Sequence, residues 1–246
     1  SICILIICSM ACHKNPDEFK VSRYSADNLI PLNDSTQALY YHDAAFIELG
    51  ELLQDSTKKY DQIRLLEQNI MAHYNDLLAI YNASYSISNS FFENAAGIHS
   101  FAVIVLYHIN VFADTSKVWT KDWIKGNAHT GVTGIDSLVE NHDIDIFFKY
   151  ESNGGYHFKL KTTRPINYVA LIEKLRKTNE FIFVESQYLI GGGGGISLTN
   201  RNGHRIYRYT LAWGDCPSGC LYSHTWKIKV SDQTITLFEE YGAPLP

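Results

Sequence analysis

Apolar positions recur every three or four residues in two stretches of the first third of the chain. Ala45, Phe46, Leu49, Leu52 and Leu53 fall on one face of a first predicted helix, which Asp34 opens with an Asp-x-x-Gln capping pattern to Gln37. Ile63, Leu66, Ile70, Tyr74, Leu77, Leu78 and Tyr81 repeat the period in a second helix, which Asn82-Ala83-Ser84 closes. Asp55-Ser56-Thr57 separates the two. Such a pair makes an antiparallel hairpin whose stripe has to be covered, and the expected cover is the sheet that follows.

In the middle of the chain the period drops to two. A β-rich stretch from Phe101 to Val111 precedes a segment with Trp119 and Trp123, and a short helix is predicted near Gly134–Asn141. Ile144, Ile146, Phe148 and Tyr150 then alternate with Asp145 and Lys149. Asn153-Gly154 supplies the positive backbone angles of a tight hairpin. The returning strand alternates Tyr156, Phe158, Leu160 and Thr162 with His157, Lys159 and Lys161. Asn167 caps a helix carrying Tyr168, Leu171, Ile172 and Leu175, and Phe181–Tyr188 reads as a closing strand. This β-α-β-β-α-β order is that of a ferredoxin-like unit. With Gly155-Tyr-His-Phe158 leading an aromatic strand, the Leu-rich helix and the final Val184-Glu185, the unit resembles the inhibitor-like propeptide domains of subtilisin-type proteases. That resemblance implies a protein that binds a separate protease.

From Gly191 onward the pattern is again β. Ile196–Thr199, Arg205–Trp213, Thr225–Val230 and Thr234–Phe238 are the strand candidates, turned by Asn202-Gly203 and Ser231-Asp232-Gln233. The expected fold is α+β: a helical hairpin plus the ferredoxin-like unit (36–190), followed by a small antiparallel β module (191–246).

The N-terminus carries a different signal. Ile2–Cys8 is solidly apolar, small residues lead to Ala11-Cys12, and polar sequence begins at His13. The run is too short for a bilayer span and has the length of a signal-peptide core. It resembles the lipobox of bacterial lipoproteins, with Ser9 where a Leu is usual, and the lack of an initiating Met and basic start suggests a truncated leader. The resemblance implies residues 1–11 as a signal-peptide remnant, a lipid on Cys12, and residues 12–35, with Pro16 and Pro31, as a tether. The expected location is the exported face of a bacterial cell envelope, periplasmic or surface, with the membrane reached through the Cys12 anchor.

Composition narrows the function classes. At 46% apolar, 13% aromatic and 19% charged residues, the chain has the makings of an ordinary globular core. Its net charge of −5 is dispersed without a Lys/Arg stripe, which argues against a nucleic-acid partner. Of the five cysteines, Cys3 and Cys8 leave with the leader and Cys12 takes the lipid. Cys216 and Cys220 remain as an even pair, the count for one disulfide in an exported protein.

The chemistry-bearing residues cluster in Trp213-Gly-Asp-Cys-Pro-Ser-Gly-Cys-Leu-Tyr-Ser-His-Thr-Trp226. The block resembles one near the C-terminus of a group of secreted and lipid-anchored bacterial proteins of unassigned activity. A tight loop closed by Cys216–Cys220 is the simplest reading; the C-x3-C-x3-H spacing to His224 offers zinc as the alternative, with His204 or Asp215 as a fourth ligand. A Ser218–His224–Asp215 triad rests on proximity in sequence alone. Gly191–Gly195 precedes a strand without a Lys, so it reads as a link rather than a phosphate loop. The remaining histidines are scattered, and no H-E-x-x-H or G-x-S-x-G occurs. Tyr207, Tyr209, Trp213, Tyr222 and Trp226 are divided between the core and an exposed strip. These observations predict a non-enzymatic, lipid-anchored envelope protein of binding or structural role, without a cofactor and with a protein or glycan partner. The alternatives are a protease-inhibitor-like protein and a zinc-dependent hydrolase.

Overall fold

The structure is a computed structural model that describes residues 20–22, 32–100, 103–187, 194–201, 203–216, 219–231 and 234–246. The leader, Cys12, most of the predicted tether and Gly191–Gly193 lie outside the described residues. The fold is α+β.

Helix α1 (Asp34–Gln54) begins one residue earlier than the capping pattern predicts, because Asn33 is the cap: its Oδ1 accepts from the Thr36 N–H at 2.9 Å. Helix α2 (Glu67–Ile87) runs past Asn82-Ala83-Ser84. The Asn82 amide and Ser84 hydroxyl donate back to the Leu78 and Tyr81 carbonyls, so these residues are absorbed by the helix rather than breaking it. Ser88 then turns the chain and caps a short helix, α3 (Asn89–Asn94), through the Phe91 N–H.

Two antiparallel sheets follow. Strands β1 (Lys20–Ser22), β6 (Gly195–Arg201), β7 (His204–Trp213), β8 (Tyr222–Val230) and β9 (Thr234–Gly242) form one, in the order β1-β9-β8-β7-β6. Strands β2 (His108–Asp114), β3 (Ile144–Ser152), β4 (Gly155–Thr162) and β5 (Phe183–Ser186) form the other, in the order β3-β4-β2-β5. Residues Val103–Leu106, expected as strand, make a 3-10 turn before β2. Asn153 and Gly154 both take positive φ at the β3–β4 turn, as the sequence predicts.

The helical hairpin does not pack where the chain order suggests. Its buried side chains, among them Tyr40, Leu49, Ile70 and Leu77, share one core with Tyr207, Tyr209, Trp226 and Ile228 of the five-stranded sheet. Ile63, expected on α2, instead lies in the loop before it and joins a second core. That core sits under the four-stranded sheet. Ile109, Val111, Phe158, Leu160 and Val184 point into it, against Trp123 of α4 (Thr120–Lys125), Ile135 of α5 (Thr133–Asn141) and Leu171 and Leu175 of α6 (Tyr168–Lys177). Hairpin and C-terminal strands thus complete one another's core, a partnership invisible to local periodicity.

Asn167 fastens the two halves. Its Oδ1 caps α6 by accepting from the Val169 and Ala170 N–H groups, while its Nδ2 donates to the Lys59 and Gln62 carbonyls in the α1–α2 loop. Among the described residues no helix is long and apolar enough to cross a membrane.

Candidate functional site

The helices cover one face of the four-stranded sheet, and the other face carries an aromatic row from edge to edge. Phe183 of β5 stands opposite Phe112 of β2, Phe112 opposite His157 of β4, and His157 opposite Tyr150 of β3. Their ring centroids are 5.2, 4.5 and 4.5 Å apart in that sequence. Tyr150 and His157 are within 8° of parallel, so ring faces meet ring faces and the edges point outward.

Two local devices build the row. A β-bulge between Ile146 and Phe148 reverses the phase of β3: Ile144 and Ile146 stay inward, whereas Phe148 and Tyr150 turn outward. Lys149, expected to point out, reaches back to the Trp123 and Ile124 carbonyls. The sequence alternation assigned Phe148 and Tyr150 to the side of Ile144, and the bulge is why they are not there. At Gly155 a Cβ would strike the Phe112 ring, so the missing side chain lets that ring lie flat beside its neighbours.

Polar rows flank the aromatic one. Asn110 lies opposite both Glu185 and Lys159, and Lys159 lies opposite Phe148, with its ammonium 5.5 Å from that ring's centroid. Next, His108 lies opposite Lys161, and Lys161 opposite Asp145. The bulge residue Phe147 stacks on His108 at 4.9 Å.

This end opens into a cleft of about 720 Å³ lined by His42, Tyr107, His108, Asp145, Lys161 and Thr162. The Tyr107 hydroxyl lies 3.0 Å from His42 Nδ1, and burial raises that phenol to about 12. Burial holds His42 below the ordinary histidine value; at His108 burial does the same, reinforced by Lys161 and Lys159. Both imidazoles are therefore neutral donor–acceptor groups at neutral pH.

A further feature sets this face apart. Five buried side-chain polar atoms lack a hydrogen-bond partner among the described residues, and three belong here: His108 Nδ1, Asn110 Oδ1 and Gln187 Oε1. Gln187 continues the outward alternation of Phe183 and Glu185. Orphaned polar atoms are rare in native proteins, and these lie beneath the surface of the face rather than on it.

The residues singled out from sequence fare differently. Cys216 and Cys220 are joined by a disulfide, with Cα atoms 4.0 Å apart. Neither sulfur is then a thiolate for zinc, and His224 turns away to the Ala243 carbonyl and Glu240 at 2.8 and 3.2 Å. Of the two alternatives for a fourth ligand, His204 begins β7, at the end away from the cysteines, whereas Asp215 adjoins Cys216. Ser218 lies outside the described residues, and with it any triad built on that hydroxyl. Tyr207, Tyr209 and Trp226 are fully buried, whereas Tyr222 is exposed and stacks on Trp213 at 6.0 Å, so the five aromatics divide between core and surface as the alternation predicts, and the row on the middle sheet is a second exposed aromatic surface. The histidines are less solitary than the sequence suggests: His73, His99, His129 and His224 each face a carboxylate. Comparison with protein-family models, curated proteins and solved structures finds no match to this chain.

Proposed function

We propose that this chain is a non-enzymatic binding protein, lipid-anchored in a bacterial cell envelope, that docks a protein partner on the outer face of its four-stranded sheet. The observation that carries the reading is the uncovered aromatic row that crosses the outer face of the sheet. Phe147, Phe148, Tyr150 and Phe183 are each more than a third exposed, and Asp145, Lys159, Lys161 and Glu185 surround them with mixed charge. An aromatic centre with a polar rim is the composition of a protein–protein interface. A sugar or a nucleobase would stack on free ring faces, but here those faces are occupied by one another.

The strand order β3-β4-β2-β5, with helices in both crossovers, supports a ferredoxin-like reading of the unit. A protease-inhibitor-like role would rest on the same unit and requires stoichiometric slowing of a subtilisin-type enzyme. The anchor rests on the lipobox-like sequence ending at Cys12; Cys12→Ala should release the chain from membranes, and a variant that stays bound would end that part of the proposal.

Site-specific photocrosslinking tests the docking face. A photoreactive residue at Phe148 or Tyr150 should give an adduct of one defined mass in cells, lost when Phe183→Asp is added. The same probe at Val118, which is 78% exposed beside α4, should give none. Equal adducts at Val118, or none on the sheet, would refute the reading.

A further inference from the structure

Behind the C-terminal sheet, well away from the aromatic face, three metal-ligating side chains converge inside the helical hairpin's core. Glu48 and Glu51 stand one turn apart on α1, and His73 faces them from α2; one ligand atom of each lies within 4.8 Å of the others. Glu48 and His73 are 4% and 6% exposed. His73 Nε2 is 3.0 Å from Glu51 Oε2.

Two further observations point to a cation among them. The first is the orientation of His73. The Tyr207 hydroxyl gives its only hydrogen to Asp76 Oδ2 at 2.8 Å, and Arg205 also donates to that carboxylate. Tyr207 then accepts from His73 Nδ1, 3.3 Å away, and this turns the other ring nitrogen, Nε2, toward the two carboxylates. A metal-ligating imidazole is held in the same way, with its other ring nitrogen donating to a fixed oxygen. The second is Glu48 itself. This carboxylate, 4% exposed, accepts one hydrogen bond among the described residues, from Asn69 onto Oε1, which leaves acceptor sites on it for a cation.

We propose that Glu48, Glu51 and His73 bind a divalent transition-metal ion, with zinc the best match to one imidazole and two carboxylates. The ion neutralises both carboxylates and takes the Nε2 lone pair. Tyr207 and Asp76 form the outer shell that orients the ring, and Asn200 steadies Glu51 from β6 at 2.6 Å. Glu51 is the exposed member, its side chain 35% accessible, so the remaining coordination position faces solvent. The ion ties α1 and α2 together beside the sheet that completes their core.

The test uses the full chain, stripped with a chelator and titrated with zinc or calcium chloride, with bound metal read by native mass spectrometry and stability by thermal melting. One zinc per chain and a raised Tm are expected, with no uptake of calcium. Glu48→Gln, nearly isosteric, should keep the circular-dichroism spectrum and weaken zinc binding at least ~10-fold; Tyr207→Phe, which removes the oxygen that orients the ring, should cost ~10–100-fold. Cys216→Ser/Cys220→Ser should bind zinc as the parent does. A parent chain that takes up no zinc would overturn the proposal. Uptake unchanged by Glu48→Gln would overturn it as well, by placing the metal elsewhere.

Discussion

Asn167 is predicted to do two separable jobs, and three substitutions separate them. As an N-cap alone, Asn, Asp and Ser are nearly equivalent and only Ala costs about 1 kcal/mol. The structure adds the clamp: Nδ2 donates at 2.8 and 2.9 Å to the Lys59 and Gln62 carbonyls, and the side chain is fully buried. Asn167→Ser keeps the cap and loses both donors, a cost of about 2 kcal/mol at roughly 1 kcal/mol per bond. Asn167→Ala loses cap and clamp together, about 3 kcal/mol. Asn167→Asp also keeps the cap, but turns an acceptor-only carboxylate toward two carbonyl oxygens in a buried site, which should cost about 3 kcal/mol or more. Urea unfolding followed by circular dichroism gives the three values. If Asp were within about 0.5 kcal/mol of the parent, the side chain would be a cap and nothing else, and the reasoning would fail.

Three further outcomes are expected. Phe158→Ala, beneath the sheet, should cost about 3–5 kcal/mol, whereas Phe148→Ser, half exposed on the outer face, should cost less than about 1 kcal/mol; equal losses in urea unfolding would contradict the assignment of faces. Burial, helped at His108 by Lys161 and Lys159 and at His142 by Arg64, holds His42, His108 and His142 below their unfolded value of about 6.5. The unfolded chain therefore binds more protons below that pH. The stabilisation is complete above about 6.5 and lost as pH falls through the folded values, so Tm should drop on acidification and drop less in His142→Gln. Removing the Cys216–Cys220 disulfide should cost only about 2 kcal/mol, because the loop it closes is short, and the fold should survive in the thermal melt of Cys216→Ser/Cys220→Ser.

The sequence was legible where a signal is local. Asn153-Gly154, the Asn167 cap and the alternation along β4 depend on neighbours within a few residues, and the structure reproduces them. Long-range pairings were not legible. Nothing in the spacing of Leu49, Leu52 and Leu77 along the hairpin announces Trp226 as a core neighbour, and the clamp from Asn167 reaches carbonyls more than a hundred residues back. The site was obscured by two backbone events: the bulge at Phe147, which turns Phe148 and Tyr150 outward, and the close approach of Phe112 to Gly155. The doubled Phe147-Phe148 within an alternating strand is the one local sign that such a bulge was there to be found.

The docking face is tested most directly by hydroxyl-radical footprinting of the chain in intact envelopes and again after purification. Phe148, Tyr150 and Phe183 should be protected in the envelope and labelled once purified, while Leu39, Tyr60 and Val118, exposed elsewhere, should label equally in both. Equal labelling of the aromatic row in the two preparations would mean that nothing covers it, and the account of this protein as a partner-binding module would be wrong.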